Sequence, residues 1–173
     1  TLFRSMALVD KPEQEFGEFN VPDILSFKQT LGWILYLLNG TRADIDAIAR
    51  RLAFPTLLTK AVHGAAAMNT DISAFGNWKP SQWTFFLDEI PALAVYAVYL
   101  VKKESVLRDY LVEWRNIKTY TTGYTLQQRG LEPGPKFKEI LTRLRTAWLD
   151  GEVKSEEEEL FLLSSLLKKD GIE

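Results

Sequence analysis

Lys136 and Lys138 follow directly on Pro133-Gly134-Pro135, and no other stretch of this 173-residue chain combines residue types and spacing so suggestively. Pro135 suits the first position of a helix, where a missing N–H costs nothing. Two lysines in the first turn of that helix oppose its dipole, where a purely structural design would place acids. Free N–H groups, a positive helix end and two cations together suit a phosphate. The other reading is a helical hairpin whose lysines are incidental. The candidate anion contacts are Lys136, Lys138 and the Gly134 backbone, then Arg129, Arg143, Arg115 and Lys118 on the flanking segments.

The remaining chemistry-capable residues point away from catalysis. His63, the one histidine, sits in KAVHGAAAM among small apolar neighbours and reads as a packing or surface residue. Asp44 and Asp46 have the D-x-D spacing used by metal-dependent phosphoryl transfer, but they fall in the first turn of a helix, where the dipole favours acids. Glu156 to Glu159 read as an exposed acidic helix start rather than a cation site. No phosphate-binding glycine loop and no H-E-x-x-H occurs. Trp78 and Trp83 offer stacking faces for bases, although Trp83, Trp114 and Trp148 fall on apolar stripes that favour burial.

The elements that would carry these residues are helical. Apolar residues recur at three-to-four spacing almost throughout, and no sustained alternation suggests a strand. The expectation is an all-α chain, a multi-helical array of about eight or nine helices without significant sheet. Ile24, Phe27, Leu31, Ile34, Leu35 and Leu38 form one stripe, stopped at Asn39-Gly40. Thr41 with Asp44 caps the next helix, and Phe54 to Met68 is a third. Residues 69–81 read as a loop. A long helical segment from Pro91 to about Ile117 breaks near Lys103, where Ser105 could cap a fresh start. Thr122 caps a short helix carrying Leu126 and stopped by Gly130, with Leu131 as an apolar anchor. Phe137, Ile140, Leu141, Leu144 and Trp148 mark the helix after Pro135, and Ser155 with Glu158 caps the last one.

Composition limits the partners. Apolar residues make up 46% and charged residues 25%, an ordinary globular balance. Cysteine is absent, which excludes a disulfide scaffold, a thiolate metal site and a cysteine nucleophile, and fits a cytoplasmic setting. The longest apolar run, Pro91 to Val101, is far short of the roughly 20 residues of a membrane span. The chain begins at Thr1 with no basic-then-apolar leader, so the expectation is a non-secreted fragment of a longer protein. The net charge of −2 conceals segregation: Lys102 to Arg145 holds ten Lys or Arg against five acids. An acidic protein can thus present a basic face.

One longer series is more particular. Tyr110-Leu111, Trp114-Arg115, Ile117-Lys118, Thr122-Gly123, Leu126, Gly130-Leu131, Pro133-Gly134-Pro135, Phe137, Ile140-Leu141, Leu144, Ala147 and Leu149-Asp150-Gly151-Glu152 resembles the C-terminal region of bacterial class II tRNA nucleotidyltransferases and poly(A) polymerases. Weaker likeness extends to SQWTFFLDEIPALAVYAV and ADIDAIARRLAFPTLLTKAV. The resemblance implies a body-like helical region over 1–78, entered from the end of a neck near Phe3-Arg4, and a tail-like region over 79–173. It implies that body and tail hold tRNA by its acceptor and TΨC arms while a head domain of the same polypeptide, using Mg and ATP or CTP, extends the 3′ end. The family's catalytic motifs do not occur here, so this fragment is expected to carry no cofactor and no catalytic residue of its own. The competing expectation is a helical protein-interaction or domain-packing module without direct RNA binding, and a homo-oligomer is compatible with either.

Overall fold

The computed structural model describes residues 12–72 and 76–169; the expected entry at Phe3-Arg4 lies outside them. Among the described residues there are ten α-helices, one 3-10 turn and no strand. The all-α expectation holds, with slightly more and shorter helices than the periodicity implied. The described residues form two compact units. One takes those up to Trp78 together with Gln82–Arg115, and the other takes Lys79–Ser81 and those from Asn116 onward.

The first unit contains α1 (Pro12–Phe16), α2 (Phe27–Tyr36), α3 (Arg42–Arg51), α4 (Thr56–Asp71), most of α5 (Pro80–Asp88), α6 (Ala92–Lys102) and α7 (Ser105–Val112). Ser26 starts α2 by accepting the Gln29 N–H at 3.3 Å while Gln29 Oε1 accepts the Ser26 N–H at 2.9 Å. Ile24 therefore precedes the helix and is exposed, contrary to its place in the sequence stripe. Thr41 and Asp44 form the expected reciprocal cap on α3. The next helix, α4, continues beyond Met68 to Asp71, so the expected loop begins later than its composition implied.

Helix α6 is the axis of this unit. Leu93 to Val98 are all buried, the mark of a helix apolar on every side. It packs against α2, α4 and α7. Lys103, at φ 57°, closes it in the left-handed conformation, and the break falls where expected. Glu104, not Ser105, then occupies the cap position of α7. Within α4, a Cβ on Gly64 would lie 2.8 Å from Ile90 Cγ2, so the glycine permits a close approach. Tyr96 packs its ring 5.1 Å from that of Phe16 and 5.2 Å from that of Phe19. Burial, with the Glu15 charge nearby, pushes its hydroxyl pKa up to about 12.

The second unit contains α8 (Gly123–Gln128), α9 (Pro135–Leu149) and α10 (Glu156–Lys169). Leu126, Leu131, Ile140, Leu144, Leu163 and Leu167 form its core, with Phe137, Leu141, Leu162 and Leu166 packed around them. Each fully buried leucine contributes about 1.5–3 kcal/mol by leaving water. At the end of α9, Asp150 accepts hydrogen bonds from the Ser81 N–H and hydroxyl, both at 3.0 Å.

Candidate nucleic-acid interface

The turn between α8 and α9 is built from local rules. The Thr122 hydroxyl accepts the Thr125 N–H at 3.3 Å and starts α8. Gly130, at φ +85°, ends it: its N–H donates to Gln127 O at 2.9 Å, and the Leu131 N–H donates to Leu126 O at 3.1 Å. This paired closure returns Leu131 to the core. Glu132 to Pro135 then run exposed across the surface.

Gly134 occupies the cap position of α9 at φ 177°, extended backbone that any residue adopts. A Cβ there would meet nothing nearer than Glu132 O at 3.9 Å, so neither strain nor crowding demands glycine. No side chain caps α9, Pro135 brings no N–H, and the Phe137 N–H turns back to Gly134 O at 3.0 Å. Lys136 and Lys138 are both exposed on this first turn. Residues two apart on a helix point about 200° apart, so the two lysines serve different sides of α9. Lys138 lines a shallow groove with Thr142, Arg143 and Thr146 along α9 and Leu166 of α10.

The other candidates divide. Arg143 joins Lys138 in that groove, but its Nη2 is held by Glu152 Oε2 at 2.6 Å, while its buried Nη1 has no partner among the described residues. Arg129 is half-buried where α8 ends, and Lys118 is exposed on the segment preceding α8. Arg115 belongs to the first unit. Its guanidinium donates to Phe16 O, closing α1, and lies 5.6 Å from the Phe19 ring centroid. The tryptophan faces are also engaged: Trp78 packs 5.4 Å from Trp83 and edge-on to Phe86.

Sequence reasoning missed Glu159. Glu156 to Glu158 are exposed as expected, but Glu159 is fully buried. Its carboxylate accepts the Tyr120 N–H at 3.1 Å, the Thr121 N–H at 2.6 Å and the Trp148 indole N–H. Burial pushes its pKa up, but the contacts from Thr121, Trp148 and Tyr120 outweigh this and hold it below the usual carboxylate value. The far end of the same segment is held by Arg145 Nε, which donates to Ile117 O at 3.2 Å. The available signal was spacing: Glu159 shares a helical face with Leu163 and Leu167, both in the core.

Asp44 is engaged in the α3 cap, and Asp46 Oδ1 lies 2.8 Å from His63 Nε2. The D-x-D spacing therefore does not converge on one point. Among the described residues, no group of three His, Cys, Asp or Glu is placed to hold a metal. None of their helices is long and apolar enough to cross a membrane.

Comparison with known proteins gives one point of contact. The chain is similar to a tRNA nucleotidyltransferase. That protein, the A-adding tRNA nucleotidyltransferase of Geobacter sulfurreducens, is 33% identical over 73 residues, which make up 40% of this chain and 8% of the relative. The matched stretch thus spans less than a tenth of that much longer protein. No family model matches the chain, and no solved structure matches it.

Proposed function

We propose that this chain is a non-catalytic helical region of a tRNA nucleotidyltransferase or poly(A) polymerase, which holds tRNA by phosphate and shape contacts while another part of the polypeptide extends the 3′ end. The observation that carries the reading is the start of α9, where two exposed lysines occupy a first turn that no side chain caps. The partial similarity to an A-adding tRNA nucleotidyltransferase supports the same assignment. In this reading residues 1–78 act as the body and residues 79–173 as the tail.

The chemistry needed is modest. A module that grips every tRNA must respond to backbone charge and duplex shape, not to base sequence. Lys136 and Lys138, on different sides of α9, suit two successive phosphates better than one. Two such contacts give weak binding, with a slope of about −2 in log K against log salt, that becomes effective when a neighbouring domain holds the same RNA. Filter binding of tRNA by wild type and by Lys136→Glu/Lys138→Glu tests this. The double variant should bind more weakly and lose about two units of slope in log K against log salt.

A second reading has its own observation. Phe161 is 78% exposed on α10, with Leu160 also exposed and Glu152, Glu157 and Glu158 lining the adjacent groove. An exposed phenylalanine among acids suits a protein contact better than RNA. Unchanged tRNA binding in the lysine variant, together with a self-association lost in Phe161→Ser on sedimentation, would favour this reading.

A further inference from the structure

The segment from Ile117 to Thr122 is unusually well fixed for a connection without secondary structure. Arg145 holds its first carbonyl, Glu159 holds the Tyr120 and Thr121 N–H groups, and the Thr119 hydroxyl donates to Thr121 O at 2.7 Å. Burial alternates along it: Ile117 and Thr119 are half-buried and Thr121 is buried, whereas Lys118, Tyr120 and Thr122 are exposed. Lys118 and Tyr120 are thus both exposed, two residues apart on a segment whose intervening residues are packed.

Tyr120 is 60% exposed, yet its ring is not adrift. It packs 5.7 Å from Trp148, at 42° between the planes, and the Trp148 indole is bonded in turn to Glu159. A carboxylate on the most acidic stretch of the chain thus fixes the backbone of an exposed aromatic and the ring behind it. Such a ring has little rotamer freedom left to lose when something stacks on it. Aromatic faces beside a cation are the usual means of holding an unpaired base and its phosphate.

We propose that Ile117–Thr122 is a ledge for single-stranded RNA, on which Tyr120 stacks an unpaired nucleobase, Lys118 meets the adjacent phosphate and Glu159 acts as the positioning residue. This rests on the RNA-holding reading and adds to it a class of ligand, an unstacked nucleotide, that the α9 lysines do not address. It also replaces Trp78 and Trp83, whose rings pack against each other, as the source of a stacking face.

The test uses the full chain and a short oligoadenylate carrying 2-aminopurine, whose fluorescence falls on stacking. Wild type should quench the probe. Tyr120→Ala should abolish quenching and weaken binding about tenfold, and Tyr120→Phe should restore both. In Glu159→Gln, amide exchange at Tyr120 and Thr121 should accelerate, the Trp148 indole N–H resonance should shift and quenching should fall while helical circular dichroism is kept. Should Glu159→Gln unfold, Trp148→Phe, which removes the indole donor to Glu159 and leaves a smaller ring behind Tyr120, should reduce quenching in a folded chain. Equal quenching and affinity in Tyr120→Ala would overturn the ledge, and unchanged amide exchange in a folded Glu159→Gln would overturn the positioning role. If Tyr120→Ala is silent while Lys136→Glu/Lys138→Glu still weakens tRNA binding, the ledge fails alone; if wild type binds neither RNA, both readings fail.

Discussion

At the scale of single residues, Glu159 and Arg115 show how burial redirects charge. Glu159 accepts three N–H groups in a place without solvent, so neutralising it leaves donors facing a weaker acceptor. Glu159→Gln should cost about 1–3 kcal/mol in urea unfolding. Its pKa is held below the unfolded value of 4.5. Its stabilisation is therefore present above that value and is lost as pH falls through the lower folded one. Wild type should lose stability across that acidic window, and Glu159→Gln should lose less. Arg115→Ala should loosen the end of α1, with a loss of about 1–3 kcal/mol, while leaving tRNA affinity unchanged in the filter assay. Neither residue's task was legible in the sequence, because each depends on partners far along the chain. Glu159 lies in a run of four glutamates that looks uniformly solvated, and only its spacing to Leu163 and Leu167 hinted at the core.

Among elements, what the sequence made legible was local. Thr41 with Asp44, Thr122 before α8, Gly130 after it and Pro135 at the start of α9 all act where their types predict, since each needs only neighbours within a few residues. The start of α2 was misplaced because Ile24 continues the apolar period, whereas the Ser26–Gln29 cap sets the boundary. The close packing of Gly64 on Ile90 was invisible, since it joins residues 64 and 90 across a turn of the fold. Two substitutions test these elements by thermal and urea unfolding. Gly130→Ala places a side chain at positive φ and should cost about 1 kcal/mol. Gly64→Ala should cost about 1–3 kcal/mol by overpacking against Ile90.

For the molecule as a whole, composition gave the class and charge patterning gave the candidate surface. The basic stretch from Lys102 to Arg145 does not act as one unit: Arg115, Arg143 and Arg145 are engaged in contacts within the fold, while Lys118 and Lys138 remain exposed. The sequence could count these cations but could not separate the two groups, because that division is made by tertiary hydrogen bonds. A slightly acidic chain that meets RNA through two lysines should bind it weakly, with a salt dependence set by those two contacts. The most direct test of the account is filter binding of tRNA at low and moderate salt, comparing wild type with Lys136→Glu/Lys138→Glu. The account predicts wild-type retention at low salt that falls as salt rises, and a weaker, less salt-sensitive double variant. No wild-type binding at low salt, or an indistinguishable variant, would contradict it.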